Sequence, residues 1–475
     1  MLQIDKGKIE NLAFLVVLVT GIITLYSKFG VLLLFFALII CFASVLKNSH
    51  SGTRIDRLIV FLIVFLPFYT LFRIDVVISK FSQYAVIINY FRDIVILLTF
   101  FFTIFDRRRL AIDKQDIPFV FFFVVWVFGL VLSIVNGYYL IGLTGLHLSA
   151  IPALLYYAYV YGTTRFDTER FIATFQKTSV CVALIGIFAY LFRPPYYCEL
   201  FQAAGNQVDA TKYVRFVSVF FTPNVCGSYL SIAFTIALGK LLNSKDKRSI
   251  ILLCLYSLCI VLTLSRGSWA FIVSILLVSL MLIRPKAGIA AAAALLFVLV
   301  FLRLVGISLF ESYIGGVIKD RIFSLLSRSN SSSYGRIDTW LNAFTLLKTS
   351  PFGFGMGVST TAQINIDLDN GIQVIDGFYA KTIIETGFLG LVYCIVLVFW
   401  SINKSLFCFR TKNMNEIGII TLLVCIGFFI QSFGSNVFDF VCVAPWFWLI
   451  LGFSYKEYRK KKTMLVQKKN DLPAG

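Results

Sequence analysis

Three arginines, Arg215, Arg266 and Arg336, stand beside apolar stretches that have no need of a charge. Arg266 occupies the turn Thr263-Leu-Ser-Arg-Gly-Ser-Trp269 between two very apolar runs. Arg215 precedes another run, and Arg336 lies in Ser333-Tyr-Gly-Arg-Ile-Asp-Thr-Trp340. A guanidinium is a planar fork that gives an oxyanion two parallel charge-assisted hydrogen bonds, so arginines gathered at one membrane face form a clamp for phosphate. The plainer role for Arg266 is to snorkel to the interface, but the turn is too tight to need a charge, and a buried charge is costly. Arg303, Lys319, Arg321 and Arg328 are ordinary loop or interface charges by comparison.

Asp376 is the candidate for proton transfer. It stands in Val374-Ile-Asp-Gly-Phe-Tyr, where a long polar stretch meets an apolar run. Its carboxylate can accept from the free N–H groups of a helix start or take the proton of an acceptor hydroxyl near an arginine-held leaving group. The two roles do not exclude each other. Lys381 and Glu385, four residues apart on the same run, are expected to pair, and Glu385 inside a span is itself a site candidate. Arg92 and Asp93 are expected to join an internal charge network. In Ser350-Pro-Phe-Gly-Phe-Gly-Met-Gly357 three alternate glycines let the backbone turn sharply or approach a ligand closely.

The elements that position these residues are membrane spans. Of 475 residues, 59% are hydrophobic and 14% charged, against about 25% charged in soluble domains. Apolar runs of about 20 residues match the bilayer core. They fall at 11–26, 29–46, 58–72, 85–105, 118–135, 147–162, 172–192, 222–242, 249–264, 268–283, 287–305, 377–400, 417–433 and 440–454. The expected fold is all-α: a polytopic transmembrane helical bundle of about 14 helices. Lys6 and Lys8 precede the first run with no small-residue cleavage site after it, so that run is expected to be a span rather than a cleaved signal.

Lys and Arg set the orientation. With the N-terminus inside, the even-numbered breaks hold Lys47, Arg54 and Arg57, then Arg107, Arg108, Arg109 and Lys114, and later Lys240, Lys245 and Lys247. Lys404, Arg410 and Lys412 continue the series, as do Lys456, Arg459 and Lys460 in the tail. The odd-numbered breaks hold far fewer, and 136–146 and 434–439 hold none. Both termini are expected in the cytoplasm of a bacterial-type cell (inner) membrane. The chain divides into helices and short loops over 1–305, a large, partly helical extracytoplasmic (periplasmic) loop over 306–376, three more helices over 377–454, and a basic cytoplasmic tail over 455–475. The net charge of +19 lies in these loops rather than in one soluble domain, so no nucleic-acid partner is expected. The ten cysteines, such as Cys181, Cys259 and Cys425, act mostly as small apolar filler. No Walker-type loop is present, so chemistry at the outer face proceeds without ATP.

Taken together, Thr222-Pro-Asn-Val-Cys-Gly-Ser-Tyr, Leu262-Thr-Leu-Ser-Arg-Gly-Ser-Trp, Gly335-Arg with Trp340, Pro351-Phe-Gly-Phe-Gly-Met-Gly and Asp376-Gly-Phe-Tyr with Glu385-Thr-Gly-Phe-Leu-Gly form an ordered set. In this order, around one large outer loop, the set resembles the O-antigen polymerase and O-antigen ligase superfamily over about residues 215–395. The resemblance implies a membrane glycosyltransferase using an undecaprenyl-diphosphate-linked oligosaccharide within the bilayer, with no metal or other cofactor. It gives Arg215, Arg266 and Arg336 the diphosphate, and sets Tyr334, Trp340 and Tyr379 to pack on sugars or to anchor the interface. Glu385 joins the substrate-binding set, and a chain-length regulator protein and a flippase are the protein partners. The ligases carry a histidine base in the long loop near the following helix. Here Asp376 takes that place, and residues 306–376 contain no histidine. That favours a polysaccharide polymerase making O-antigen, capsule or exopolysaccharide. A ligase and a lipid-linked oligosaccharide transporter remain the alternatives. Arg266→Ala is expected to lower chain extension roughly a hundredfold, equivalent to about 3 kcal/mol of lost stabilisation of the departing diphosphate. The length distribution of the polysaccharide ladder, with membrane expression confirmed, checks this, and a normal ladder removes Arg266 from the clamp.

Overall fold

A computed structural model describes residues 6–48, 53–79, 85–107, 112–164, 167–205, 215–244, 246–294, 331–360, 375–410 and 416–470. It is built from helices, and the described residues contain no strand. In chain order these are α1 (Lys6–Thr24), α2 (Lys28–Asn48), α3 (Arg54–Phe65), α4 (Tyr69–Ile78), α5 (Ala85–Arg107), α6 (Ile117–Val135), α7 (Tyr139–Ser149), α8 (Leu154–Tyr161) and α9 (Thr168–Phe192). They continue with α10 (Pro195–Ala203), α11 (Pro223–Ser244), α12 (Arg248–Leu262), α13 (Arg266–Ile283), α14 (Ser331–Thr349), α15 (Phe378–Arg410), α16 (Glu416–Gln431) and α17 (Ala444–Asn470). A further helical stretch covers 285–294. Thirteen of the apolar runs fall on these helices, and the run 287–305 is described, as helix, only to 294. Among the described residues, nine helices are long and apolar enough to cross a membrane, and α12 and α16 are shorter apolar helices.

Proline explains where the runs and helices differ. Pro67 and Pro152 each sit in a short 3-10 turn that splits one run into two helices, α3 with α4 and α7 with α8. Each removes a backbone donor and crowds the preceding turn. Of residues 136–146, expected as a break, only 136–138 interrupt the helices, because α7 already starts at Tyr139; Pro152 then interrupts the span that follows. The last helix also passes the expected boundary at 454 and runs through the basic tail to Asn470. Of the long loop, 331–360 and 375–376 are described and 331–349 is helix α14; 306–330 and 361–374 lie outside the described residues.

The bundle is apolar outside and partly polar inside. Phe36, Phe105, Val131 and Ile251 are exposed, as lipid-facing side chains must be. Ser179, Tyr229, Gln431 and Ser228 are buried and hydrogen-bonded to one another in pairs or to main chain. In lipid an unsatisfied polar group has no water to fall back on.

Helix α15 breaks at Gly387, which adopts φ 62° and ψ −138°. The glycine-rich segment fills the break. Phe354 N–H donates to the Ile384 carbonyl at 3.0 Å, Gly355 N–H to that of Glu385 at 2.9 Å, and Phe388 N–H to that of Pro351 at 2.8 Å. On its other side the segment meets α6: Met356 N–H donates to the Gly129 carbonyl at 2.9 Å and Ser133 Oγ to that of Met356 at 2.8 Å. The three glycines therefore serve close backbone approach to protein. At Gly355, with φ 110°, an added Cβ would stand 2.5 Å from Ser133 Oγ.

The two ends of the bundle differ. At one, Asp116 receives Tyr156 and Tyr161 hydroxyls and pairs with Lys404 at 2.8 Å, while Lys456 Nζ donates to the carbonyls of Tyr159 and Gly162, both at 3.1 Å. All of these lie in or beside even-numbered breaks. The residues flanking odd-numbered breaks gather at the opposite end, about 28 Å away along the 19 residues of α6.

Gly387→Ala is expected to lower stability by about 1–3 kcal/mol or more, because a side chain is strained at positive φ and would overlap the Pro351 carbonyl. Thermal unfolding in detergent measures it, and an unchanged midpoint would show that the broken helix is not held by this segment.

Candidate functional site

The odd-break end holds an open cavity of about 660 Å³. Tyr69 to Arg73 and Tyr90 line it from either side of the third break, Leu140 to Leu148 from α7, and Phe220 to Val225 from the entry to α11. Thr360 and Asp376 come from the two ends of 361–374, and Ser435 to Cys442 from the turn between α16 and α17. Each of these stretches belongs to an odd-numbered break or its edge, and none comes from an even-numbered one.

Asp376 is exposed and lies on this cavity. One amide fixes the backbone around it: Asn436 Nδ2 donates to the Ile375 carbonyl at 2.7 Å, and Asn436 Oδ1 accepts the Gly377 N–H at 3.1 Å. The next N–H, of Phe378, donates to the Ser432 carbonyl at 3.0 Å. Asp376 itself lies two residues before α15 begins, with its position set from the facing turn.

A buried ion cluster ties α15 to the same turn. Lys381 Nζ lies 2.5 Å from Asp439 Oδ2 and 3.7 Å from Glu385 Oε2. Ser149 Oγ donates to Asp439 Oδ1 at 3.0 Å, and Ser359 Oγ to Glu385 Oε1 at 3.2 Å. The expected pairing of Lys381 with Glu385 is present, but the shorter contact is to Asp439, which the sequence did not bring forward. Glu385 is 4% exposed, set behind the cavity wall, whereas Asp439 lines the cavity.

The arginines are distributed as follows. Arg215 donates from Nε to the Thr263 carbonyl at 2.9 Å and from Nη2 to the Leu264 carbonyl at 3.2 Å. It thereby holds the strained turn that carries Arg266, in which Leu264 has φ 52°. Ser265 Oγ in that turn donates to Asn224 Oδ1 at 3.0 Å, and a Cβ at Gly267 would stand 3.1 Å from Ser435 Oγ. Asn224 and Ser435 both line the cavity, so Arg266 is flanked by residues whose neighbours form its wall. Neither arginine lines the cavity. Arg336 and Tyr334 lie in α14, one turn or more before Trp340, and their side chains are outside the described residues. Trp340 packs on Phe433 with ring centroids 5.9 Å apart and on Tyr379 at 6.3 Å, which brings α14 against the cavity turn.

The cavity has an arginine of its own. Arg73 is exposed, lines the cavity, and makes no hydrogen bond or ion pair to the described residues. Close by, the Tyr196 hydroxyl of α10 donates to Asp75, and burial, then this carboxylate, hold the Tyr196 phenol above its ordinary range. Sequence reasoning missed Arg73, Asp439 and His147. The available signal was a lone charged or polar residue at the outer edge of an apolar run. The expected Arg92–Asp93 network is present, with Arg92 Nε 2.7 Å from Asp93 Oδ1 and His147 as its third member. Among the described residues no group of three or more His, Cys, Asp or Glu is arranged to hold a metal.

Residues 250–395 match a family model described as O-Antigen ligase. A curated protein of Salmonella muenchen described as "O-antigen polymerase" is 24% identical over 172 residues, 35% of this chain and 43% of that relative. The match thus spans less than half of the relative's length.

Lys381→Met leaves the buried Glu385 and the partly buried Asp439 without their cation, and is expected to cost about 3–5 kcal/mol. The double variant Lys381→Met/Asp439→Asn should recover part of the loss. Thermal unfolding of the two proteins in detergent decides it, and equal stability of Lys381→Met and the unaltered chain would contradict the assigned pairing.

Proposed function

Since the chain belongs to the O-antigen polymerase and ligase superfamily, we propose that it is a polysaccharide polymerase working at the outer face of the bacterial cytoplasmic membrane, with both termini in the cytoplasm. It transfers a growing glycan from an undecaprenyl-diphosphate carrier to a lipid-linked repeat unit. The observation that carries this reading is the polar cavity walled by odd-break residues, beside the turn that Arg215 holds and that carries Arg266.

In this reading the acceptor hydroxyl attacks the anomeric carbon of the donor's reducing-end sugar. The carbon–oxygen bond to the diphosphate breaks, and the electron pair leaves with undecaprenyl diphosphate. Arg266, with Arg336 from α14, stabilises that charge as it develops, the term that weighs most in such a transfer. Arg215 contributes by fixing the Arg266 turn as well as by its charge. Arg73 supplies a cation on the cavity wall itself. Asp376 accepts hydrogen bonds from the acceptor sugar, and Trp340 faces the glycan; Tyr379, expected beside it, is buried behind Trp340 with its hydroxyl donated to the Phe429 carbonyl at 2.9 Å.

The family description leans toward ligation, whereas the relative's name and the lack of histidine in 306–376 favour polymerisation. A strain without this chain separates the two. It is expected to display single repeat units on its surface and to regain long chains when the gene is returned. A surface with no units at all would favour a ligase, and units trapped on the inner side a transporter; either result overturns the polymerase.

A further inference from the structure

We propose that His147, oriented by Asp93, is the general base of this transfer. The inference rests on the glycosyl-transfer reading above and names the group that takes the proton.

His147 stands in the last turn of α7 and borders the cavity, with 15% of its side chain exposed. Behind it, on α5, Arg92 is fully buried and Asp93 is 3% exposed. The carboxylate divides its oxygens between two partners: Oδ1 receives Arg92 Nε at 2.7 Å, and Oδ2 is hydrogen-bonded to His147 Nδ1. Arg92 Nη2 also donates to the His147 carbonyl at 2.7 Å, one of the carbonyls that α7 leaves open as it ends before Pro152. Backbone and ring are thus held from the same helix. The Tyr90 ring closes the face of the imidazole, edge-on at 5.3 Å.

This arrangement has a chemical consequence. A carboxylate on Nδ1 fixes the proton there and leaves the Nε2 lone pair as the ring's acceptor. When Nε2 gains a proton, the imidazolium forms next to an anion already in position. Arg92 and Asp93 cancel each other, so the resting network is neutral and buries no net charge. An ordinary interface histidine needs neither a buried carboxylate nor a buried guanidinium behind it.

The carboxylates at the cavity suit other tasks. Asp439 is engaged by Lys381 and Ser149. Asp376 is exposed, and a carboxylate is a weaker base near neutral pH than an imidazole. In the step assigned here the acceptor hydroxyl gives its proton to His147 Nε2 as its oxygen bonds to the anomeric carbon. The bond from that carbon to the diphosphate oxygen breaks, undecaprenyl diphosphate leaves with the electron pair, and the imidazolium releases its proton to water in the open cavity.

The test uses the full chain in vesicles supplied with undecaprenyl-diphosphate-linked repeat units, following glycan extension against pH. The other titratable groups around the cavity are Asp376, Asp439, Arg73, Tyr69, Tyr90 and Cys442. His147→Gln is expected to lower kcat by about 10²–10⁴-fold, to change KM little, and to abolish the acid limb of the profile. Asp93→Asn should weaken and displace that limb without removing it. If His147→Gln does not survive extraction, His147→Asn and the Asp93→Asn profile decide. A His147 variant with normal kcat, or variants with an unaltered acid limb, overturn the assignment while extension by the unaltered chain leaves the polymerase reading standing. No extension by the unaltered chain overturns both.

Discussion

Polar groups that lie within an apolar slab must find their partners inside the protein, because no water is available to replace a missing one. The described structure follows from that constraint. Where α15 breaks at Gly387, the glycine-rich segment takes up the freed carbonyls and N–H groups. Where a lysine is enclosed, Asp439 and Glu385 enclose it. Where Arg92 is buried, Asp93 and the His147 carbonyl receive it. Each solution also fixes part of the cavity wall, since the partner that satisfies a buried group is repeatedly a residue of the odd-break end.

Satisfaction and function meet most closely between α16 and α17. Asn436 holds the backbone on both sides of Asp376, Asp439 anchors Lys381, and Ser435 lies against the Gly267 turn. This short segment has no cation and little sequence to mark it. It nevertheless sets the relative positions of the re-entering loop, the arginine turn and the cavity floor. The membrane body and the site are therefore one object: the glycine-rich segment holds the break in α15, and the turn between α16 and α17 places its first turn.

Much of the fold was legible in the sequence. Runs of apolar residues reported the helices, and the alternation of Lys and Arg sorted the breaks into two sets that do gather at opposite ends. The breaks themselves were less legible, because a proline turn such as that at Pro152 interrupts a helix without interrupting its hydrophobicity. Of the site, Asp376 and the Thr222-Pro-Asn motif were visible as polar residues at the mouths of spans, and both line the cavity. Arg215 illustrates the limit. Its charge marked it as a ligand clamp, but two carbonyls receive it, and a backbone acceptor has no signature in the sequence. Asp439, Arg73 and His147 were hidden for a related reason: their significance lies in partners or neighbours more than fifty residues away in the chain.

The central claim is that the odd-break cavity is where the lipid-linked diphosphate and the acceptor meet. Photo-crosslinking tests it most directly, using an undecaprenyl-diphosphate-linked repeat unit with a photoreactive group on its first sugar and mass-spectrometric mapping of the labelled peptides. The account predicts labels within 69–73, 140–148, 220–225 and 435–442. Labels confined to the Asp116, Lys404 and Lys456 end, or spread over the outer faces of the helices, would contradict it.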